Sequence, residues 1–462
     1  MATLVQTKIG ESRGVARLWM EGKRLAREGF AAGQRLRMAI EDGYLTLRVL
    51  EEQEAGHSIR ISQRKASNWP LFEIRDNVLD TLFGAGSRVV VKFTRGKLHI
   101  GKHHLDEKRR AREAALVERL AAGEPLRFAS LYHGGGVMDS AIHEGLADAG
   151  IDSYCRIVNE LEPAYLESSL RNNPQLFRRD TLVLNAPIEQ LDFSLPHALT
   201  VDALVAGIPC TGASKSGKAR NKIKHAEEHT SAGAQFFAFL RMCERLNPAL
   251  VVLENVADYR NTASYAVVLS VLRTMGYRVT ERILGGNEFG ALDMRKRLVM
   301  VAVSEGLEPF DIEGVEPLAA KPATIAEVLD DPADVADLWK DYQGLREKEA
   351  RDLAAGKNFR RTVLAPDAEA VPTLTRGYQR ARSTEAQLAH PTDPLLSRLF
   401  TRFEHARFKG VPLRIIEGLS STIAHEVLGQ GVVYPAFRAV GRALGRWLAA
   451  MVPATAAAAL VA

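Results

Sequence analysis

The sequence predicts an α/β protein, with a mostly parallel sheet in its main domain and a small β-rich domain ahead of it. Three observations carry the prediction. From Leu126 onward, short apolar runs alternate with helical patterns, which is the signature of βαβ units. The first hundred residues hold two weakly similar stretches at a spacing of 53, each reading as strands broken by glycine turns. The composition, 46% hydrophobic and 25% charged over 462 residues, supplies a large core and excludes wholesale disorder. Three cysteines cannot build a disulfide framework in so long a chain. The opening MATLVQTKIGESRG lacks the apolar centre of a signal peptide. The most apolar stretch, Trp447 to Ala462, is too short for a bilayer and is broken by Pro453. A cytoplasmic protein without membrane association is expected, with residues 449–462 as a tail.

Residues 1–104 form the first expected domain. ARLWMEGKRLAREGFAAGQRLRMAIEDGYLTLRV (16–49) lies over PLFEIRDNVLDTLFGAGSRVVVKFTRGKLHI (70–100). Identities fall at Leu18/Leu71, Phe30/Phe83, Ala32/Ala85, Gly33/Gly86, Arg35/Arg88, Gly43/Gly96 and Leu45/Leu98. Each half reads strand, short helix, glycine turn, strand, glycine turn, strand, and Thr94-Arg95-Gly96 is a hairpin signal. One half is too small for a core, so the two together are expected to make one pseudo-symmetric barrel. Residues 13–101 resemble the swapped-hairpin β-barrel domains of bacterial transition-state regulators and antitoxins, which bind DNA as dimers. A small β-domain that only buttresses the rest is the alternative. Charge favours the first: residues 1–125 hold 23 Lys+Arg against 16 Asp+Glu, and the rest 38 against 40. Residues 105–125, DEKRRAREAALVERLAAG at their centre, read as a charged connecting helix.

The main domain, 126–332, is marked by RFASLY (127–132), CRIVNE (155–160), TLVLNA (181–186), ALVAGIP (203–209), ALVVLENV (249–256), YRVTERIL (277–284) and RLVMVAV (297–303). Ligands of parallel sheets sit beyond the carboxyl ends of strands. The first run ends in Tyr132-His133-Gly134-Gly135-Gly136, where glycines let a ligand approach the backbone. The second ends in Asn159-Glu160-Leu161, whose acid suits a ribose, and the third in Asn185, placed for an adenine edge. Cys210 follows Pro209 at a strand end. The loop after it runs through Ser214, Lys215, Lys218, Arg220 and Lys222, where a thiolate is favoured. Cys155 and Cys243 read as packing residues. Glu254, with Asn255, ends the next strand and suits proton traffic. Arg295 and Arg297 enter a strand two residues apart, so period two sends both to one face.

In this order these segments resemble the DNA cytosine-5 methyltransferase family over residues 127–448, about 70% of the chain. The glycine loop matches its cofactor motif, PCTGAS its nucleophile loop, ENV its base-contacting motif and RKR its two-arginine motif. RLFTRFEHARFKGVP (398–412) matches the motif that supports the recognition domain, and LGQGVVYPAFRAVGRAL (428–444) the returning last motif. The resemblance implies a Rossmann-like methyltransferase fold and methylation of carbon 5 of a flipped cytosine with S-adenosylmethionine, with no metal. It assigns Cys210 as nucleophile, Glu254 to the base amine and N3, and Arg297 with Arg295 to the base carbonyl. Tyr132, Gly134, Gly136, Glu160, Leu161, Asn185, Pro209, Gln430 and Gly431 are implied to line the cofactor site. The departures are Ser130 and Tyr132 for an acid and a phenylalanine, Leu161 for an aromatic, Asn185 for an aspartate, Asp293 for a glutamine and Gln430-Gly431 for Asn-Ser.

Between TIAEVLDDP (324–332) and VPTLTRGY (371–378) the family places its target-recognition region. Residues 333–370 are the expected variable reader, within a region of recognition and return at 333–396 that precedes a return to the catalytic domain at 397–448. Lys357, Arg360 and Arg361 are its candidate DNA contacts, with phosphate contact or plain surface as alternatives. Double-stranded DNA is the expected partner, bound by a monomer, with a cognate restriction endonuclease as a further partner the family allows. Two other readings stay open: the same chemistry on RNA, and a non-catalytic DNA-binding regulator with a methylase-like body.

Overall fold

The computed structural model describes residues 3–41, 43–63, 68–191, 199–209, 227 and 233–451. The chain divides into two compact units, Met1–Ala111 and Arg112–Ala462.

In the first unit the repeat is visible in the hydrogen bonding. Its strands are β1 (Thr3–Lys8), β2 (Gly10–Ser12), β3 (Val15–Glu21), β4 (Arg35–Glu41), β5 (Tyr44–Val49), β6 (Ile59–Arg60), β7 (Ser62–Gln63), β8 (Pro70–Arg75), β9 (Arg88–Thr94) and β10 (Lys97–Lys102). Helix α1 (Lys23–Arg27) follows β3, and α2 (Asn77–Leu82) follows β8. One sheet runs β1-β9-β10-β5-β4-β6 and the other β2-β3-β8-β7. Strands of one half pair with those of the other: β3 lies antiparallel to β8, with Leu18 opposite Ile74 and Glu21 opposite Leu71. Likewise β5 lies antiparallel to β10, with Leu47 opposite Leu98 and Leu45 opposite Ile100. Each of these registers maps onto itself when the halves are exchanged at the spacing of 53 seen in the sequence. The repeat also reaches further back than side-chain identities reveal. Gly33 N–H donates to Ile61 and Gly86 N–H to Ile9, both at 2.8 Å, while Ile9 N–H returns to Ser87 and Ile61 N–H to Gln34, both at 2.9 Å. Gly43 and Gly96 hold the two hairpin turns at φ 77° and 72°, a region open to glycine at little cost. Equivalent residues of both halves (Phe30 and Phe83, Leu36 and Val89, Leu45 and Leu98, Leu47 and Ile100) fill one shared core.

Helix α3 (His104–Ala121) contains the boundary between the units. In the second unit, Arg112 donates to the Met275 carbonyl at 3.0 Å, to Gly276 at 2.7 Å and to Ser304 Oγ at 2.8 Å, fixing the helix end on the sheet edge.

The second unit is built on a seven-stranded sheet of β11 (Leu126–Leu131), β12 (Ser153–Asn159), β13 (Leu182–Leu184), β14 (Ala203–Gly207), β15 (Leu250–Val256), β16 (Tyr277–Gly285) and β17 (Lys296–Ser304). Their order is β13-β12-β11-β14-β15-β17-β16, so all seven apolar runs read from the sequence are strands of one sheet. The first five are parallel; β17 is antiparallel to both neighbours. Continuous apolar runs result because both faces are covered. Phe128, Val205, Val252, Val299 and Val301 face one core, and Leu131, Leu204, Val251, Leu253 and Met300 the other. Helices α4 (Val137–Ala147) and α5 (Pro163–Asn172) follow β11 and β12, and α6 (Gln235–Leu246) and α7 (Ala263–Thr274) flank β15.

The chain then leaves to form a smaller sheet, β18 (Lys340–Asp341), β19 (Val363–Leu364), β20 (Gln387–Ala389) and β21 (Leu396–Arg398), ordered β18-β21-β20-β19, with α8 (Gln343–Ala354) wholly at the surface. Val371, Leu374, Tyr378, Leu388, Phe400 and Phe408 fill its core. The expected variable reader, 333–370, shares this sheet with residues up to Arg398.

Helices α9 (Arg402–Phe408), α10 (Ser421–Gln430) and α11 (Tyr434–Ala449) return to the main sheet. A Cβ on Gly145 would strike the Arg438 carbonyl, and one on Gly441 the Ile142 carbonyl, so glycine on both helices brings α11 into backbone contact with α4. Among the described residues no helix is long and apolar enough to cross a membrane.

Candidate active site

The carboxyl ends of β11, β12, β14 and β15 lie side by side, because Leu131 pairs with Asn159 and Ala206, and Gly207 with Glu254. The ends of β11, β12 and β15 deliver polar residues that the sequence singled out.

At the end of β11 the loop turns through three left-handed residues, Tyr132 at φ 58°, Gly134 at 59° and Gly136 at 75°. Tyr132 holds this conformation with a partly buried ring whose hydroxyl donates to the Gln235 carbonyl at 3.0 Å. A Cβ on Gly135 would stand 2.5 Å from Val427 Cγ1, and one on Gly136 would meet Ser169 Oγ. The loop is thus closed against α5 and α10 by the absence of side chains. The Gly134 N–H donates to Glu160 Oε2 at 2.6 Å, and the Glu162 N–H to Oε1 at 2.8 Å. Each carboxylate oxygen keeps a second lone pair for a ligand hydroxyl. Asn185 donates to the carbonyls of Glu160 at 2.8 Å and Leu161 at 3.1 Å, so its amide first shapes the turn. Leu161 is 63% exposed, an apolar surface beside the acid on which a flat ring could lie. These features fit a nucleoside with a free ribose edge.

Beneath the loop is a buried polar network. Ser130 Oγ meets His133 Nδ1 at 2.9 Å, and His133 Nε2 meets Ser169 Oγ at 2.7 Å. His133 Nδ1 also stands 3.0 Å from Asp139. Asp139, His143 and Cys155 bring a carboxylate, an imidazole and a thiol within 4.8 Å of one another, the only such group among the described residues. His143 Nδ1 is turned to Ser153 Oγ at 2.6 Å, which ties α4 to β12. Burial lowers His143 to about 4 and raises Cys155 well above its usual range, so imidazole and thiol are neutral. The network holds the loop to the sheet. Cys155 and Cys243 are buried, in keeping with packing roles.

Ile208 and Pro209 follow β14, with Pro209 exposed. Cys210 follows and lies outside the described residues, as do Ser214, Lys215, Lys218, Arg220 and Lys222. Asn255, beyond the expected site residues, fixes this end: its Nδ2 donates to the Ile208 carbonyl at 3.1 Å and its Oδ1 accepts from Val256 N–H at 2.9 Å. The second residue of ENV was the available signal.

Glu254 and Arg297 face each other across β15 and β17, with Nε 2.6 Å from Oε1. Burial raises the Glu254 carboxyl above its ordinary value against the opposing pull of Arg297, Arg295 and Lys409. A Cβ on Gly207 would sit 3.3 Å from Glu254 Oε2, so glycine leaves the carboxylate room. Arg295 departs from expectation. It precedes β17, is 2% exposed, and donates to the carbonyls of Gly429 and Gly431 at 2.9 Å and Leu374 at 2.8 Å. Its guanidinium is engaged by backbone, so it positions other parts and does not grip a base. Gly431 therefore enters the site through its carbonyl, while the exposed Gln430 donates to Glu426 at 3.3 Å.

In the small sheet, Lys357 and Arg360 are exposed. Arg361 is a second correction: it donates to Gln387 Oε1 at 2.8 Å and Ser397 Oγ at 3.0 Å, bracing the sheet.

A family model described as C-5 cytosine-specific DNA methylase matches residues 142–446. The chain is 30% identical over 167 residues to the Type II methyltransferase M.Eco47II of Escherichia coli, covering 35% of this chain and 37% of that protein. It is thus matched over little more than a third of that relative's length. It is 27% identical over 260 residues to M.NlaX of Neisseria lactamica, covering 54% of this chain and 78% of the relative. The crystal structure of S. pombe Dnmt2 methyltransferase superposes with a TM-score of 0.54 at 18% identity, over 68% of this chain and 96% of that one, which shows a shared fold. With the family model spanning about two thirds of its length over the same strand ends and returning helices, this chain belongs to the C-5 cytosine-specific DNA methylase family.

Proposed function

We propose that the protein is a site-specific DNA cytosine-5 methyltransferase. The observation that carries this reading is the partly buried Glu254–Arg297 pair one strand from the Ile208–Pro209 segment that leads into Cys210, on the same sheet edge as the glycine loop and Glu160. Family membership implies S-adenosylmethionine, which supplies an electrophilic methyl group when bound. Glu160, Leu161 and the glycine loop would hold its nucleoside, beside the carboxyl-terminal end of α10 at Gly431.

Carbon 5 of cytosine is a weak nucleophile. The Cys210 thiolate forms a bond to carbon 6, which makes carbon 5 enamine-like. A Glu254 carboxyl raised by burial donates to ring N3 and accepts from the exocyclic amine, and Arg297 bonds the base carbonyl as charge develops. After methyl transfer the carbon 5 proton leaves to a base and the carbon–sulfur bond breaks, returning the thiolate. The target base must be flipped from the duplex to reach these groups. The lysines after Cys210, with Lys357 and Arg360, would meet DNA phosphates.

The first unit adds grip on DNA in this reading. Its support is the basic excess of residues 1–125 and the exposed Lys8, Lys92 and Arg95 on the six-stranded sheet. Removing residues 1–101 is expected to weaken DNA binding and flatten its salt dependence; unchanged affinity would rule the role out. A cognate restriction endonuclease is compatible with this reading.

Incubation with labelled S-adenosylmethionine and duplex DNA, beside Cys210→Ala, tests the proposal. Label in DNA from the intact protein alone is the expected result. Label confined to RNA moves the substrate, and no label in either rejects the enzyme reading. Bisulfite sequencing of DNA from expressing cells then reports the target site.

A further inference from the structure

Asp293, Arg295 and Lys409 form a buried charged cluster close to the Glu254–Arg297 pair, at 1%, 2% and 0% exposure. Lys409 Nζ donates to the Gly431 carbonyl at 2.9 Å, the same oxygen that Arg295 Nη1 reaches at 2.9 Å. Asp293 Oδ1 accepts from the Arg295 N–H at 2.8 Å, and its Oδ2 stands 3.6 Å from Lys409 Nζ. The cluster binds three parts of the chain at once. Gly429 and Gly431 belong to the carboxyl-terminal end of α10 that is proposed for the cofactor. Leu374 belongs to the core of the small sheet. Arg295 and Lys409 both act electrostatically on Glu254.

Stability alone gives little reason for such a cluster, since a buried ion pair is often matched by apolar residues of similar volume. Two basic side chains sharing one carbonyl, at a helix end beside a base-contacting carboxylate, have a clearer use. We propose that Lys409 is a positioning residue that locks the carboxyl-terminal end of α10, Gly429–Gly431, to the Asp293–Arg295 corner and so couples cofactor occupancy to the Glu254–Arg297 pair. The inference rests on the reading of that pair as the base-contacting site.

The electrostatics pull in two directions, with Asp293 favouring the charged amine and the other neighbours opposing it. Burial, reinforced by Arg295 and Arg297, holds the Lys409 amine well below its ordinary range, against the pull of Asp293. The charged groups facing Glu254 are Arg297 on β17, Arg295 just before it and Lys409 just after α9. Asp293 faces Lys409 from the other side, and His405 faces it from within α9, kept neutral by burial.

The test uses the full-length protein, Lys409→Met and Lys409→Gln, with two readouts. One is affinity for S-adenosylhomocysteine by calorimetry; the other is the pH profile of single-turnover methyl transfer to duplex DNA. Methionine removes both donor and charge, so affinity falls about tenfold and the pH midpoint moves upward, because a carboxyl that loses a neighbouring cation is harder to ionise. Glutamine can still donate to Gly431 but is neutral, so affinity stays near that of the parent while the midpoint shifts as for methionine. Wild-type affinity and midpoint in both variants overturn the proposal. So does equal weakening with an unmoved midpoint, which is the mark of a purely structural role. If methionine unfolds the chain, glutamine alone decides. A parent protein that binds S-adenosylhomocysteine but methylates no nucleic acid refutes the functional reading, and the two affinities still decide whether Lys409 locks the end of α10.

Discussion

Asn255→Asp is the sharpest perturbation of the site that leaves its volume intact. Asn255 is 1% exposed, and its Nδ2 is the donor to the Ile208 carbonyl, two residues before Cys210. Aspartate keeps an oxygen for the Val256 N–H and loses that donor, placing a carboxylate oxygen against a carbonyl oxygen at about the former 3.1 Å. A buried acceptor left unsatisfied costs about 1–3 kcal/mol, and more where charge is involved. The strand end is expected to relax away from Asn255. A displacement of the nucleophile by about 1 Å costs on the order of a hundredfold in rate. The expected result is a loss of single-turnover methyl transfer of about a hundredfold, with a urea midpoint lowered by about 2 kcal/mol of stability. Affinity for S-adenosylhomocysteine should be unchanged, because the glycine loop is held by other residues. A variant with full rate and lower stability would refute the view that Asn255 aims the cysteine.

Gly441→Ala is expected to destabilise by about 1–3 kcal/mol in urea denaturation, since its Cβ meets the Ile142 backbone carbonyl; a gain in stability, as for an ordinary exposed helix glycine, would refute the close packing of α11 on α4. Arg297→Gln removes the partner 2.6 Å from Glu254, so methyl transfer should fall about a hundredfold or more and its pH midpoint rise; an unmoved midpoint would separate the two groups. His143 and His425 are both lowered to about 4 by burial. Below their unfolded value of about 6.5 the unfolded chain binds protons that the native one refuses. Stability should therefore be full above about pH 6.5 and decline toward pH 4, by about 1 kcal/mol per pH unit for each histidine. Equal urea midpoints at pH 7 and pH 5 would contradict their neutral burial.

The main sheet was legible because burial on both faces writes most of its strands as apolar runs, as in Leu250–Leu253 of β15. The antiparallel insertion of β17 between β15 and β16 was not, because direction leaves no trace in periodicity. In the first unit, identities marked the repeat from Leu18 onward, while β1, β2, β6 and β7 stayed hidden. Their equivalence lies in main-chain bonds such as Gly33 to Ile61 and Gly86 to Ile9. At the site, Glu254 and Arg297 were legible from strand-end position. Arg295 and Arg361 were misread for one reason: an arginine's pattern in sequence does not say whether its guanidinium meets solvent or the protein's own acceptors. Lys409 escaped notice because a lysine is rarely expected at 0% exposure.

The backbone-close seating of α11 on α4 has a consequence in time. About 300 residues separate Gly145 from Gly441, and at 5–20 residues per second a ribosome needs roughly 15–60 s to make them. For that interval the apolar side of α4 has been synthesised and its cover has not. The first unit, whose last strand ends at Lys102, has all its own strands long before then. A nascent chain of this protein would thus carry a finished amino-terminal unit and an open carboxyl-terminal one for most of its synthesis. A release or cut before Tyr434 would leave α4 without the helix that covers it.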